Sequence, residues 1–246
     1  MRLSTICCSA KRLKLKCPKS VLLLAGLVVA GVAGLLTPSP VSACQADSVI
    51  SLFEKQIGQY QTIRLKYRKE ARSLMFGERE PEAGTLWLGP PRRYRVESPT
   101  QVIVRGADTL WSYTPGTRQV TLRAGNLDSL EFGPAGFFGS LRQDFLIVDC
   151  RPDSVDKRPA WQVRLAAKTE TAPIQRLTMW IDCTTHWAAA ADYVDYNEET
   201  AHLVFADYRT DHAGDKGQFV FVYPRGVERI VLPNTERPRR PAKDGD

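Results

Sequence analysis

Three histidines, His186, His202 and His212, are the only imidazoles in a chain of 246 residues. General acid–base work or metal binding would need them paired with each other or with carboxylates at short, one-faced spacings. No His-x-x-His occurs, and His186 and His202 sit among strand-forming residues. Asp211 and Asp215 flank His212 and Gly214 in a polar turn, but their order and spacing match no calcium loop. Neither a Gly-x-Ser-x-Gly elbow nor a phosphate-cradling glycine loop is present. The chain is therefore not read as an enzyme, and neither a cofactor nor a metal is expected. Arg92, Arg93 and Arg95 invite an anion site, yet alternation sets Arg93 and Arg95 opposite Tyr94 and Val96. That is also the pattern of a solvated outer sheet face.

The cysteines speak to compartment. Cys7, Cys8 and Cys17 lie in a leader with six cations and no carboxylate over residues 1–43. A sixteen-residue apolar run, 21–36, follows, and then Val41-Ser42-Ala43. Basic, apolar and small-residue regions in that order form a secretory signal, and the run is shorter than the roughly 20 residues that span a bilayer. Without the leader, 28 basic residues face 27 acidic ones, so the overall charge of +7 gives no argument for a nucleic-acid partner. Cys150 and Cys183 each follow an aspartate at the end of an apolar run, and a disulfide between them is expected in an oxidising compartment. The alternative is two separate buried thiols. Cys44 follows Val-Ser-Ala as in a lipobox, although Thr37-Pro38-Ser39-Pro40 separates it from the apolar run. Lipidation at Cys44 and ordinary cleavage before it both fit.

The mature chain opens on an amphipathic helix over 46–60, with Val49, Ile50, Phe53, Ile57 and Tyr60 on one stripe and Asp47 or Ser48 as cap. At residue 62 the apolar period changes from helical to two. Ile63, Leu65 and Tyr67 alternate with Arg64, Lys66 and Arg68 in a strand ending near residue 76. A charged loop covers 77–82, and 84–96 reads as a strand, a Pro90-Pro91 corner and a second strand. Further strands are expected at 101–104, 110–113, 119–122, 145–149, 161–166, 174–182, 187–196, 201–208, 218–223 and 227–232. Only 126–140 breaks the meander, as one or two short helices carrying Phe137 and Phe138. Eleven or twelve strands without a linker predict one domain, a single highly curved antiparallel sheet with helices on its concave side. Both the first helix and the central segment must find apolar surface on that sheet, and a cavity can lie between them. Residues 234–246 read as a disordered basic tail.

Three ordered motifs stand out: Gly84-x-Leu86-Trp87-x-x-x-Pro91-x-x-Tyr94-Arg95-Val96, then Val104-x-Gly106-x-Asp108-x-Leu110-Trp111-x-Tyr113 with Gln119-Val120-Thr121, and Phe219-x-Phe221-x-x-Pro224-x-Gly226-Val227. In these the chain resembles the LolA family of periplasmic outer-membrane lipoprotein carriers. The resemblance spans about residues 46–232 and implies an unclosed β-barrel of about eleven strands with a helical lid over an interior for acyl chains. A carrier domain over 44–233, after a signal peptide at 1–43, follows. Cavity residues implied in this way are Phe53, Ile57, Leu65, Tyr67, Leu86, Leu88, Tyr94, Val96, Ile103, Trp111, Phe137 and Phe138. The family's lid-holding arginine before the corner proline is matched by Pro90, so any latch must lie elsewhere or be weaker. Implied partners are lipoproteins, an inner-membrane lipoprotein export complex and an outer-membrane receptor, with the protein a periplasmic monomer. Two alternatives share the fold: an outer-membrane acceptor of the LolB kind, lipidated at Cys44, and a lipid-responsive envelope sensor.

Overall fold

The computed structural model describes residues 45–74, 77–125, 134–139, 141–214 and 217–233. The expected leader, Cys44 and the basic tail lie outside them, as do Phe76, Asp215 and most of the central segment. The chain divides at Ala43/Cys44 into two units, and the described residues all belong to the second.

Helix α1 (Ala46–Gly58) buries Val49, Ile50 and Phe53. Gln45 stands at its N-cap without a side-chain bond to the backbone, in place of the expected Asp47 or Ser48, and Asp47 sits in the first turn, where the helix dipole favours negative charge. The helix stops at Gly58, two residues earlier than the apolar stripe suggests, because the Gln61 amide already donates to the Asp211 carbonyl and starts the sheet.

Among the described residues thirteen strands form one sheet: β1 (Thr62–Ser73), β2 (Gly77–Glu78), β3 (Glu82–Gly89), β4 (Arg93–Glu97), β5 (Val102–Arg105), β6 (Thr109–Thr114), β7 (Gln119–Ala124), β8 (Phe145–Val155), β9 (Arg158–Ala167), β10 (Ile174–Asp182), β11 (Ala188–Asp195), β12 (Thr200–Asp211) and β13 (Glu228–Leu232). Their spatial order is 13-7-6-5-4-3-1-12-11-10-9-8, with β2 pairing β1 off this path. The chain thus starts in the middle, meanders outward through β3 to β7, crosses to the far edge at β8, and returns through β9 to β12 against the other side of β1. These pairings are antiparallel except that of β13 beside β7. Among the described residues β8 and β13 do not pair, so the curved sheet stays open as expected of an unclosed barrel. The crossing carries a 3₁₀ turn, Pro134–Phe138, and one short helix, α2 (Leu141–Asp144), which runs directly into β8.

Alternation locates the faces. In β1, Ile63, Leu65 and Tyr67 are buried while Arg64, Lys66 and Arg68 are exposed. Register carries that face across the sheet, through Leu65 opposite Leu86 and Leu86 opposite Val96 on one side, and Tyr67 opposite Phe205 on the other. The main core lies on this concave face, under α1, the 3₁₀ turn and α2. Other expectations also differ from what is formed. β8 does not stop at Asp149 but continues past Cys150 to Val155, because its register slips by one residue between Ile147 and Asp149 and pairing resumes. Residues 218–223 form no strand: Phe219 and Phe221 are buried and Val220 and Val222 exposed, so the alternation is real, but the segment lies across the sheet's convex face without laddering to it.

Candidate ligand-binding interior

The floor of the concave face is built from neighbouring strands whose inward residues are apolar by alternation. Leu65 and Tyr67 come from β1, Leu86 and Leu88 from β3, and Tyr94 and Val96 from β4, all buried. Ile103 of β5 packs against the same cluster, half-buried. The lid supplies Phe53 and Ile57 from α1 and Phe137 and Phe138 from the 3₁₀ turn. Rings interlock across the gap: Phe138 lies 6.0 Å from Phe53 and 5.2 Å from Phe205, and Phe137 lies 5.5 Å from Tyr193. Eleven of the twelve implied cavity residues therefore meet on one apolar face. Tyr193, Phe205 and Leu141 join them, and period-two spacing in 187–196 and 201–208 carries the signal for the first two.

Trp111 is the exception. It pairs with Val104, which pairs with Arg95, and so lies on the convex face. There its indole N–H donates to the Tyr223 hydroxyl at 3.0 Å and its ring stacks 6.2 Å from Phe221. With Val104 and Val120 it forms a second, smaller cluster under the C-terminal segment. Arg93 and Arg95 share this outer face, Arg93 over the ring of Phe219 at 5.1 Å and Arg95 paired with Glu97.

In this state the lid's own phenylalanines fill the interior. Among the described residues a cavity of about 170 Å³ stands at the hairpin corner, bounded by Ile57, Tyr60, Ile63, Leu88, Tyr94 and Phe138. That is below the roughly 300 Å³ at which ligand pockets begin, so a long apolar ligand requires the lid to yield. A larger space of about 790 Å³ lies at the far end of β1, where Glu70, Arg72, Arg79, Arg176, Asp192 and His202 bring charges of both signs beside the apolar Ala71, Tyr193, Val194 and Ala201. His202 there pairs with Asp192 at 2.5 Å.

Burial sets the electrostatics of the floor. It pushes the Tyr94 phenol up to about 12, against the pull of nearby Arg105, and it raises Tyr67 further with help from Glu82, to which the Tyr67 hydroxyl donates at 2.6 Å. Both phenols stay neutral at ordinary pH, as an apolar ligand requires. Gly84 leaves room for the Tyr67 ring beside β3, since a Cβ there would come within 2.7 Å of it.

A few polar bonds hold the lid. The Arg142 guanidinium in α2 donates to the Asp47 carbonyl and the Ser51 hydroxyl of α1, with the Asp47 and Glu54 carboxylates 3.8 and 3.9 Å away. Beside it, Arg92 at the hairpin corner donates to Gln143 Oε1 at 2.9 Å, and Lys168 Nζ donates to the Arg142 carbonyl at 2.6 Å. Arg92 adopts φ 52°, a left-handed conformation that costs a non-glycine residue about 1 kcal/mol and aims its side chain at α2. The corner does reach the lid, two residues after Pro90. Arg142 is invisible to motif reading, because only the crossover brings α2 against α1.

The expected Cys150–Cys183 bond is not formed. Cys183 remains a buried thiol, so the disulfide of Cys150 does not run to it. β9 lies between β8 and β10, and two strand spacings, about 10 Å, already exceed the roughly 7 Å Cα separation a disulfide bridges.

No family model and no curated protein matches the sequence. Solved structures do. An uncharacterized conserved protein from Thermus thermophilus superposes with TM-score 0.51 at 12% identity over 77% of this chain and 100% of its own. A LolA superfamily protein from Nitrosomonas europaea gives 0.41 at 13% identity, over 73% and 99% of the two chains. Lipoprotein LppX from Mycobacterium tuberculosis gives 0.43 at 10% identity, over 66% and 94%. The open, mostly antiparallel sheet with its few helices thus has a solved counterpart in the Thermus thermophilus protein.

Proposed function

We propose that this protein is a periplasmic carrier that takes the acyl chains of lipoproteins onto its concave face and moves them between the inner and outer membranes. The observation that carries the reading is the apolar concave face, filled by Phe53, Phe137 and Phe138 and tied shut by a handful of polar bonds at α2. Each methylene removed from water contributes about 0.8 kcal/mol, so an acylated protein needs such a shelter to cross an aqueous space. A carrier must also release its cargo. Phenylalanines that refill the interior when the chains leave lower the cost of release, because the apolar floor is never left open to water. The resemblance to LolA proteins and the leader at 1–43 support lipoproteins as cargo and the envelope as the place.

The test is binding of a fluorescent fatty-acid probe and of a synthetic triacylated lipopeptide to the purified protein. Saturable binding of both is expected, with loss of binding in Tyr94→Glu, which sets a charge on the floor. Absence of binding in the parent, or a Tyr94→Glu protein that folds and binds like the parent, overturns the reading.

A further inference from the structure

On the convex face, behind the apolar floor, β12 carries one residue more than β1 can match. Lys66 stands opposite Ala206, yet Arg64 stands opposite Arg209, so Leu65 alone faces Asp207 and Tyr208. Asp207 takes a left-handed φ of 55° in this bulge, at a cost of about 1 kcal/mol. Without the extra residue Arg64 would oppose Tyr208, and Arg209 would fall on the inward side. The bulge therefore sets two guanidiniums directly across from each other on one face, where like charges repel. A space of about 230 Å³ lies there, lined by Arg64, Leu65, Lys66, Asp207 and Arg209. Its one carboxylate is already engaged. Asp207 is bonded by Lys66 at 2.7 Å, and Arg209 and Arg64 add to that bond in holding its carboxyl below the usual range. Among the described residues neither arginine forms an ion pair of its own. Arg64 lies over the Trp87 ring at 5.5 Å, a contact that holds the side chain and brings no oxygen to its N–H groups.

We propose that Arg64, Arg209 and Lys66 form a binding site for a phosphate group on the convex face. Three cations against one carboxylate leave the space a net positive charge. Phosphate suits it better than a simple halide, because each guanidinium presents paired N–H donors that match two oxygens, and a tetrahedral anion can accept from both arginines at once. Bound between them, it turns a repulsion into a shared attraction. The space is too small and too polar for an acyl chain, and it lies across the sheet from the concave floor. The site therefore stands or falls independently of acyl-chain binding. Inorganic phosphate and the headgroups of an anionic phospholipid surface offer the same chemistry to it.

The test has two arms on the purified protein. One is calorimetric titration with inorganic phosphate, referred to chloride at matched ionic strength. The other is co-sedimentation with vesicles of phosphatidylcholine, alone or mixed with phosphatidylglycerol. Binding is expected in at least one arm: uptake of phosphate without vesicle binding identifies a soluble phosphate, and retention by the mixed vesicles alone identifies a headgroup. Arg209→Gln and Arg64→Gln should each weaken that binding about tenfold, as the loss of a hydrogen bond between charged groups does. Arg68→Gln, which removes the next outward cation along β1, an exposed one paired with Glu70, should leave it unchanged. Thermal melts give a second reading. In chloride Arg209→Gln should melt no lower than the parent, because it relieves the like-charge pair, whereas in phosphate it should melt lower. No binding in either arm, equal losses in Arg68→Gln and Arg209→Gln, or an Arg209→Gln protein that melts below the parent by the same margin in both salts overturns the proposal.

Discussion

The sheet is greasy on both faces, and the two greasy regions are covered in different ways. On the concave side, α1, the 3₁₀ turn and α2 cover the core without strand pairing, and side-chain bonds from Arg142 and Arg92 tie them down. On the convex side, Phe219 to Tyr223 cover Val104, Trp111 and Val120, and that segment continues into β13, which pairs with β7 over five residues. The first cover is held by side chains alone, and the second continues into the sheet. Covers held in such different ways should respond differently to the same substitution.

The largest expected contrast comes from removing one buried ring from each side. Phe53→Ala and Phe221→Ala each delete a large side chain that is 0% and 8% exposed respectively. Such changes cost about 3–5 kcal/mol in a packed core, and denaturant melts should show a loss of that order in both. Fatty-acid probe binding separates them. Phe53→Ala enlarges the space under the lid and should bind the probe more tightly than the parent, whereas Phe221→Ala should leave its affinity unchanged once the folded fraction is equalised. Equal affinities in the two variants would erase the distinction between the covers.

Two glycines sharpen the comparison at about 1–3 kcal/mol, the usual cost of overpacking. A Cβ at Gly84 would collide with the Glu97 carbonyl and with Tyr67 on the concave floor, and a backbone atom cannot step aside. At Gly89 it would instead meet the tip of the Phe219 ring, at 2.5 Å, on the convex face. Gly84→Ala should therefore destabilise more and weaken probe binding. Gly89→Ala should destabilise less and show its effect as faster amide exchange at 217–227.

Much of this organisation is legible in the chain itself, and the failures have a common cause. Period-two alternation in 62–68 and 84–96 places Tyr67, Leu86, Tyr94 and Val96 on one face and Arg93 and Arg95 on the other, as the sheet has them. In 102–122 both faces are apolar, Ile103 and Leu110 inward and Val104 and Trp111 outward, so alternation no longer tells in from out. Nothing in the local pattern therefore opposes an inward Trp111, and the expectation fails there. The cysteines fail similarly: matching Asp-Cys pairs show equivalent strand positions but carry no register, and register puts β9 between them. Arg142 and its bonds join segments roughly ninety residues apart, a relation no local pattern holds.

Arg142→Ala tests the concave cover directly. Its guanidinium is partly exposed, so solvent competes for the same bonds and the loss in global stability should be about 1 kcal/mol. The local effect is larger than the global one. Amide exchange should accelerate in α1 and α2 but not in β1 or β12, and probe association should quicken several-fold. Accelerated exchange spread evenly over the sheet would show that α2 holds the core rather than the lid.

The two faces should also fail at opposite ends of the pH scale, with the smallest effect on the acid side. On the convex face, Asp207 is held below the usual carboxylate range by its bond to Lys66, and Asp149 by its bond to Arg164. For each, the unfolded chain binds the proton first as pH falls. The stabilisation is therefore full above the ordinary aspartate pKa near about 4, and is lost as pH falls through the lower folded value. Screening keeps these exposed pairs weak, so melts at pH 7 and pH 3 should differ modestly on their account. The concave phenols behave in reverse. Burial raises Tyr94 to about 12 and Tyr67 and Tyr193 above their ordinary value, so above about pH 10 the unfolded chain gives up protons that the folded floor retains. Stability should then fall with rising pH, and absorbance at phenolate wavelengths should show these tyrosines ionising only as the protein unfolds. Phenolate absorbance that rises near pH 10 with the fold intact would mean that water already reaches the floor.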